Sequence, residues 1–478
     1  MSWLMRVNRR TLALWMLFCF GGLFLLKGRI TGDGFSYYAW LRSPVFDRDV
    51  NFYNEYTEFN PEGYWTAVEE ETATGLVANP FSIGPAVLWL PWFGMAYLLT
   101  ELTGPGLAIE NDGYSFYYQL LIPLGTYVYA FMGALFLFQL LRLFTSQQSA
   151  WWATFAVVFA SPMLNYLYNE PVSSHPLSFF IISAFYFYWL STKRFQSDVD
   201  SFLGGLVAGL MCLVRWQQII FVLPVFYDKL LVQKRPFQLS VFGFALGIIA
   251  VWQLAAWKLV YGSFFHLPQT TAFFIPPTDI LTWASRLPLL WFSPNHGLFY
   301  WTPLMLLGIY GWYLWRHQKK RLSWQFALLF LLSSLVNALP WEYYGGWAYG
   351  SRRMIESLPL IAVGLAVVFD QPPWHKLRGW VVGVFTLWNA LLWAQYVALQ
   401  VNPVGALVFP DWVIGQFTQS GAGIAKAFGQ SAVLSQFYFA LQEGQDTLAL
   451  GIVAAVIVLL VMIGVGVGMY QLEKQSYQ

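Results

Sequence analysis

Ionisable side chains are scarce in this sequence, and several short segments concentrate the types that could do chemistry. Thr31-Gly32-Asp33-Gly34 sets a carboxylate between two glycines, which permits a tight turn and keeps Asp33 close to the end of the apolar run before it. A carboxylate held there could take a proton from an attacking hydroxyl, although a turn or helix-capping aspartate fits the same pattern. Asn169-Glu170-Pro171-Val172-Ser173-Ser174-His175 places Glu170 and His175 in a short connection that needs neither for solubility; the other reading is a proline-marked turn. His296 and Glu342 stand where loops enter apolar runs, as does the pair Arg352-Arg353. Adjacent arginines suit bidentate binding of a phosphate, with interfacial snorkelling as the alternative. Arg215 separates the apolar halves 202–214 and 216–228. In one continuous helix it would cost roughly 2.5–3.5 kcal/mol to insert, so two helices meeting beside it, at the mouth of a cavity, are expected. The stretch from Asp47 to Tyr56 adds Asp49 and Glu55 as candidate binding residues. A divalent metal is a further reading of that stretch, but the full calcium-loop spacing and its glycine are missing.

Composition defines the elements that must position these groups. The chain has 478 residues, 58% hydrophobic and 10% charged, where a soluble chain averages about 25% charged. Continuous apolar runs such as 12–26, 177–190, 241–257 and 448–469 call for helices in a bilayer and exclude an alternating outer-membrane barrel. A soluble enzyme, a disordered chain and a disulfide-stapled domain are excluded too, since Cys19 and Cys212 both fall in apolar stretches. Arg6, Arg9 and Arg10 place the N-terminus in the cytoplasm. Leu25, Leu26 and Lys27 stand where a signal-peptidase site would need small residues, so the first run reads as a retained span. Further basic clusters at Lys193-Arg194, Lys229 to Arg235, Arg316 to Arg321 and Lys376 to Arg378 mark cytoplasmic turns.

These clusters keep their side only if residues 81–103, interrupted by Pro91 and Gly94, form a re-entrant or interfacial helical pair. Spans then fall near 11–26, 114–141, 150–168, 176–191, 202–214, 216–228, 238–260, 297–315, 324–340, 354–370, 379–399 and 448–470. The expected class is an all-α polytopic membrane protein of about twelve transmembrane helices, both termini cytoplasmic. The long loops, 27–113 and 401–447, and most carboxylates face outward, and so does the expected chemistry. Gly464 and Gly468 form a GxxxG in the last span, too common a pattern to imply a dimer. Neither a P-loop nor a Rossmann, HExxH or CxxC motif occurs, so no nucleotide, nucleic-acid partner or structural zinc is expected.

Taken in order, Gly32-Asp33-Gly34 with Tyr37-Tyr38, the Asp47 to Tyr56 stretch, Asn79-Pro80 with Gly84-Pro85, Glu170-Pro171 with His175, His296-Gly297-Leu298-Phe299-Tyr300 and Gly350-Ser351-Arg352-Arg353 resemble the GT-C superfamily of polytopic glycosyltransferases. The likeness is to the bacterial branch similar to protein mannosyltransferases and aminoarabinose transferases. It implies a GT-C-like catalytic domain over 1–400, with juxtamembrane helices in the first extracytoplasmic loop 27–113, then a loop 401–447 and a last helix and cytoplasmic tail over 448–478. It also implies transfer of a sugar from a polyprenyl-phosphate donor to a glycan, lipid or protein acceptor at the outer face of a bacterial inner membrane. Asp33 takes the place of the family's catalytic base and Glu170 that of its second acid, where the family often has Asp. Arg352, Arg353, Arg215 and His296 are the expected partners of the departing phosphate. One base opposite that phosphate implies inversion at the anomeric carbon. Two other readings are a transporter or flippase of a lipid-linked glycan, disfavoured by nearly charge-free spans and the lack of a detectable repeat, and a non-catalytic lipid scaffold.

Overall fold

Helices that are apolar on every side must be covered by neighbours or by lipid. The computed structural model describes residues 9–60, 63, 66–107, 109–266, 279–408, 411–437 and 445–476; Arg6 and Pro410 lie outside them. In chain order the helices are α1 (Arg9–Phe24), α2 (Asp33–Phe46), α3 (Tyr53–Thr57), α4 (Gly84–Leu107), α5 (Phe116–Arg142), α6 (Gln147–Phe159), α7 (Met163–Tyr168), α8 (Ser174–Ser191), α9 (Asp198–Val214), α10 (Leu223–Tyr227) and α11 (Pro236–Tyr261). There follow α12 (Ile280–Phe292), α13 (Leu298–Trp301), α14 (Met305–Trp315), α15 (Lys320–Asn337), α16 (Leu358–Asp370), α17 (Trp374–Val397), α18 (Asp411–Thr418), α19 (Ser420–Gly429) and a last helix, Gln445–Ser476. Tighter 3-10 turns over Trp216–Val222 and Arg352–Ser357 lead into α10 and α16. Among the described residues two isolated bridges are the only β pairing. Among the described residues four helical segments, Phe116–Arg142, Pro236–Tyr261, Trp374–Val397 and Leu448–Met469, are long and apolar enough to cross a membrane, and the chain is an integral membrane protein.

Helix ends follow local chemistry. Ser197 and Asp200 form a reciprocal capping box that starts α9, and Asp279 accepts the Thr282 N–H at 2.7 Å to start α12. α9 stops at Val214 because Arg215 adopts extended backbone, φ −149° and ψ 115°. The expected break at this arginine is present, although the half after it is a 3-10 turn running into a short α10. Likewise 150–168 divides into α6 and α7 around Ser161-Pro162, and 297–315 into α13 and α14 around Thr302-Pro303.

The region 81–103 departs from expectation. Pro91 and Gly94 do not divide it; α4 is one continuous helix. It runs antiparallel beside the first half of α5, where Trp89 Nε1 donates to Thr126 Oγ1 at 2.7 Å and Tyr129 Oη to the Leu88 carbonyl at 2.9 Å. Near its C-terminus Thr103 meets the Tyr117 hydroxyl at 2.6 Å, and its N-terminal Gly84 packs on Leu213 at the end of α9. Partners in neighbouring helices absorb the local weakness that proline and glycine introduce.

Close packing holds the remaining helices together. A methyl group on Gly311 of α14 would lie 1.8 Å from the Gly364 carbonyl oxygen of α16, so only glycine permits this approach. A methyl group on Gly464 or Gly468, by contrast, would meet nothing within 4 Å among the described residues beyond its own stretch of helix. The last helix closes on the first, with Trp15 Nε1 donating to the Met462 carbonyl at 3.0 Å.

Candidate active site

Asp33 is the first residue of α2, where the positive end of the helix dipole favours a carboxylate. Gly32 enters the helix at φ +56°, a conformation costly for side chains with a Cβ. Gly34 lies so close to the Glu170–Ser173 turn that a Cβ there would sit 2.0 Å from the Val172 carbonyl oxygen. The two glycines thus have separate jobs, one setting the turn and the other letting α2 dock against that second connection. Tyr37, one helical turn after Asp33, adds a hydrogen bond of 2.9 Å to Ser174 Oγ across the same seam.

Docked this way, Asp33 faces the other end of the sequence. Arg352 Nη1 donates to its Oδ2 at 2.9 Å, and the Asp33 side chain keeps 34% exposure while that of Arg352 keeps 16%. The loop before Arg352 turns through Gly345, Gly346 and Gly350, all at positive φ. Arg352 Cγ lies 3.2 Å from where a Gly345 Cβ would be, and the Glu342 carboxylate folds over Gly346 at 2.7 Å from the equivalent position. Burial pushes the Glu342 carboxyl above its usual range, against the pull of Arg353 and Arg352. Burial also raises that of Glu170, opposed by Arg352 and by hydrogen bonds that include Tyr396 Oη at 3.1 Å.

A second layer holds the other cations. Arg215 Nη1 lies 3.2 Å from His175 Nδ1 and 3.8 Å from Glu356 Oε2. Glu356 is buried, and its Oε1 accepts from Ser333 Oγ and Asn337 Nδ2, each at 2.9 Å. Asn337 also donates to the Arg353 carbonyl at 3.2 Å, tying the end of α15 to the arginine pair. Burial and the neighbouring Arg352 and Arg215 hold the Arg353 guanidinium down to about 10, the mark of like charges gathered in one place.

His296 belongs to the same neighbourhood. It is buried at φ +61° and stacks on Trp301 at 5.2 Å between ring centroids, with Tyr344 at 6.2 Å. Burial, reinforced by Arg352 and weakly opposed by the Ala348 backbone, brings its imidazole down to about 4. Among the described residues neither ring nitrogen has a partner in hydrogen-bond geometry.

Asp33, Glu170, His175, Arg215, His296, Glu342, Arg352 and Arg353 therefore converge from widely separated segments. Asp49 and Glu55 do not join them. They lie around Arg42, nine residues and about 13 Å further along α2. Arg42 binds Glu55 at 3.1 Å and also Asp47, while Asp49 Oδ1 accepts from Ser43 Oγ at 2.8 Å and from the Asn51 N–H at 3.0 Å. These carboxylates are occupied in bracing the first loop. Among the described residues no group of three or more His, Cys, Asp or Glu side chains is placed to hold a metal. Sequence reasoning missed Glu356, Ser333 and Asn337; the available signal was an acidic residue inside an otherwise apolar run.

In this all-helical bundle the first long loop docks a carboxylate against an arginine from a later one, and the fold is similar to that of solved structures. A crystal structure of ArnT from Cupriavidus metallidurans in the apo state is similar to this chain at a TM-score of 0.51 and 12% identity, over 97% of this chain and 75% of that one. A crystal structure of the Archaeoglobus fulgidus oligosaccharyltransferase in the apo form is more distantly similar, at a TM-score of 0.38 and 13% identity, over 90% of this chain and 57% of that one. No protein-family model matches the sequence, and no curated protein does.

Proposed function

We propose that this chain is a membrane glycosyltransferase that moves a sugar from a polyprenyl-phosphate donor to an acceptor hydroxyl at the outer face of a bacterial inner membrane. The observation that carries this reading is the Asp33–Arg352 pair at 2.9 Å, partly exposed and backed by Arg353 and Arg215. The phosphate of the donor binds Arg352 and Arg353, with Arg215 behind them and His296 beside them. The acceptor oxygen attacks the anomeric carbon and its proton passes to Asp33. The bond from that carbon to the phosphate oxygen breaks, and the polyprenyl phosphate leaves with its negative charge balanced by the arginines. Attack opposite the leaving group inverts the anomeric centre. Glu170 and Glu342, both buried toward their neutral forms, are suited to hydrogen-bond sugar hydroxyls.

The test uses wild type and Asp33→Asn in nanodiscs with a panel of radiolabelled polyprenyl-phosphate sugars and cell-envelope acceptors. Transfer by wild type, with donor binding but no transfer by Asp33→Asn, is the expected result. Donor carried across the bilayer without transfer would establish the flippase reading instead, and retention of anomeric configuration would overturn the single-base mechanism.

A further inference from the structure

A second feature lies at the far end of the bundle. α8 runs from His175 at the site to Arg194 just beyond its last turn, and α15 runs from Lys320 to Asn337, which touches Arg353 and Glu356. Each helix has 18 residues, about 27 Å, so Arg194 lies about a bilayer's hydrocarbon thickness from His175, and Lys320 from Asn337. At that end α10 and the first half of α15 line a groove of about 630 Å³, within the range of roughly 300–1,000 Å³ of small-molecule sites. Leu223 and Tyr227 form one wall, Trp324 and Leu328 the other, and Lys320 and Arg321 stand over it.

The charge balance around the groove is uneven. The buried Asp228 carboxylate is shared by Arg194 at 2.9 Å and Arg321 at 3.6 Å, while the more exposed Asp198 and Asp200 act on the neighbouring Lys229. Two guanidiniums facing one carboxylate leave positive charge, and Lys320 adds to it. Apolar walls exclude a free polar ligand, while the cations select against a neutral or cationic lipid. We infer that this groove is a binding site for an anionic phospholipid of the leaflet opposite the active site, its phosphate on Lys320 and Arg321 and an acyl chain between Tyr227 and Trp324. This occupant is independent of the transfer chemistry proposed above. It also gives the basic cluster from Arg316 to Arg321 a specific ligand in addition to its part in orienting the chain.

The test is native mass spectrometry of the delipidated full chain titrated with phosphatidylglycerol or phosphatidylcholine of identical chains. Wild type is expected to retain one phosphatidylglycerol, in a salt-sensitive way, and to release phosphatidylcholine. Lys320→Gln with Arg321→Gln is expected to weaken phosphatidylglycerol binding roughly 25-fold, about five-fold for each charge near a membrane surface. Leu328→Trp, which fills the groove and keeps both charges, is expected to lose the lipid as well. Equal retention of the two lipids by wild type overturns the proposal, as does unaltered binding in either folded variant. Monodisperse elution and an unchanged melting temperature establish folding, and the comparison of the two lipids on wild type decides if a variant fails it.

Discussion

Arg352 reaches back across 319 positions to place a guanidinium nitrogen 2.9 Å from the Asp33 carboxylate, joining the first long loop to the start of α16. The pair is only partly covered, so each member remains available to a second partner. In the proposed reaction those partners are the acceptor proton for Asp33 and the donor phosphate for Arg352. On that proposal the pair is a resting arrangement that substrate divides.

Asp33→Asn is expected to lower kcat about 10²- to 10⁴-fold, the usual worth of a positioned base. It also frees Arg352 from its counter-charge, so the KM for the lipid-phosphate donor falls. Arg352→Lys gives the opposite signature, a raised donor KM with a loss of kcat, because a lysine cannot grip a phosphate in bidentate fashion. Steady-state kinetics on the two variants distinguishes these outcomes.

Gly34→Ala tests the docking of α2 without altering any charged group. Its Cβ would meet the Val172 carbonyl oxygen at 2.0 Å, and backbone cannot yield as a side chain does. We expect activity to fall at least ten-fold as Asp33 shifts, together with a lower melting temperature. Wild-type activity and stability in this variant would show that the seam with the Glu170 turn is not needed.

Glu356→Ala removes the counter-ion of Arg215 and the carboxylate that Ser333 and Asn337 share, while Asn337 keeps the Arg353 carbonyl. Breaking a buried pair from one side typically costs about 3–5 kcal/mol, and thermal unfolding should register it. Glu356→Gln keeps an oxygen for Ser333 and Asn337 and restores most of the stability. Its deficit is expected in donor binding, through a displaced Arg215, which separates the charge of Glu356 from its shape.

Glu55 sets a pH dependence away from the site. Burial pushes its carboxyl up to about 8 against the pull of Arg42 beside it, and the Asp47 charge adds a smaller push in the same direction. A folded-state value above the unfolded one favours folding at low pH, and that contribution is lost as pH rises from about 4.5 toward about 8. Melting temperature should therefore decline across this window in wild type. Glu55→Gln should flatten the decline, as followed by thermal denaturation at half-unit pH steps.

The site was legible in the sequence where polar groups interrupt apolar runs. Asp33, Glu170, His296 and the arginine pair all stand at such boundaries, and the structure gathers them. Asp49 and Glu55 have the same local appearance, yet Arg42 and Ser43 on the preceding helix engage them, a pairing that depends on how the chain turns back after α2. Glu356 escaped notice for the opposite reason: it sits within the run that becomes α16, and its partners Ser333 and Asn337 come from another helix. The all-helical class was readable from apolar length, whereas the continuity of α4 through Pro91 and Gly94 depends on partners in α5 and α9 that composition does not reveal.

The contact between Trp15 and Met462 spans 447 positions, so α1 leaves the ribosome long before the helix that covers it exists. At about 5–20 residues per second the wait is roughly 20–90 s. Throughout it, one flank of α1 must be shielded by lipid or by an insertion factor. Asp33 likewise lacks its arginine until three-quarters of the polypeptide has been made. A nascent or truncated product that stops short of Arg352 therefore carries Asp33 without its partner, and the pair can form only in the last quarter of synthesis.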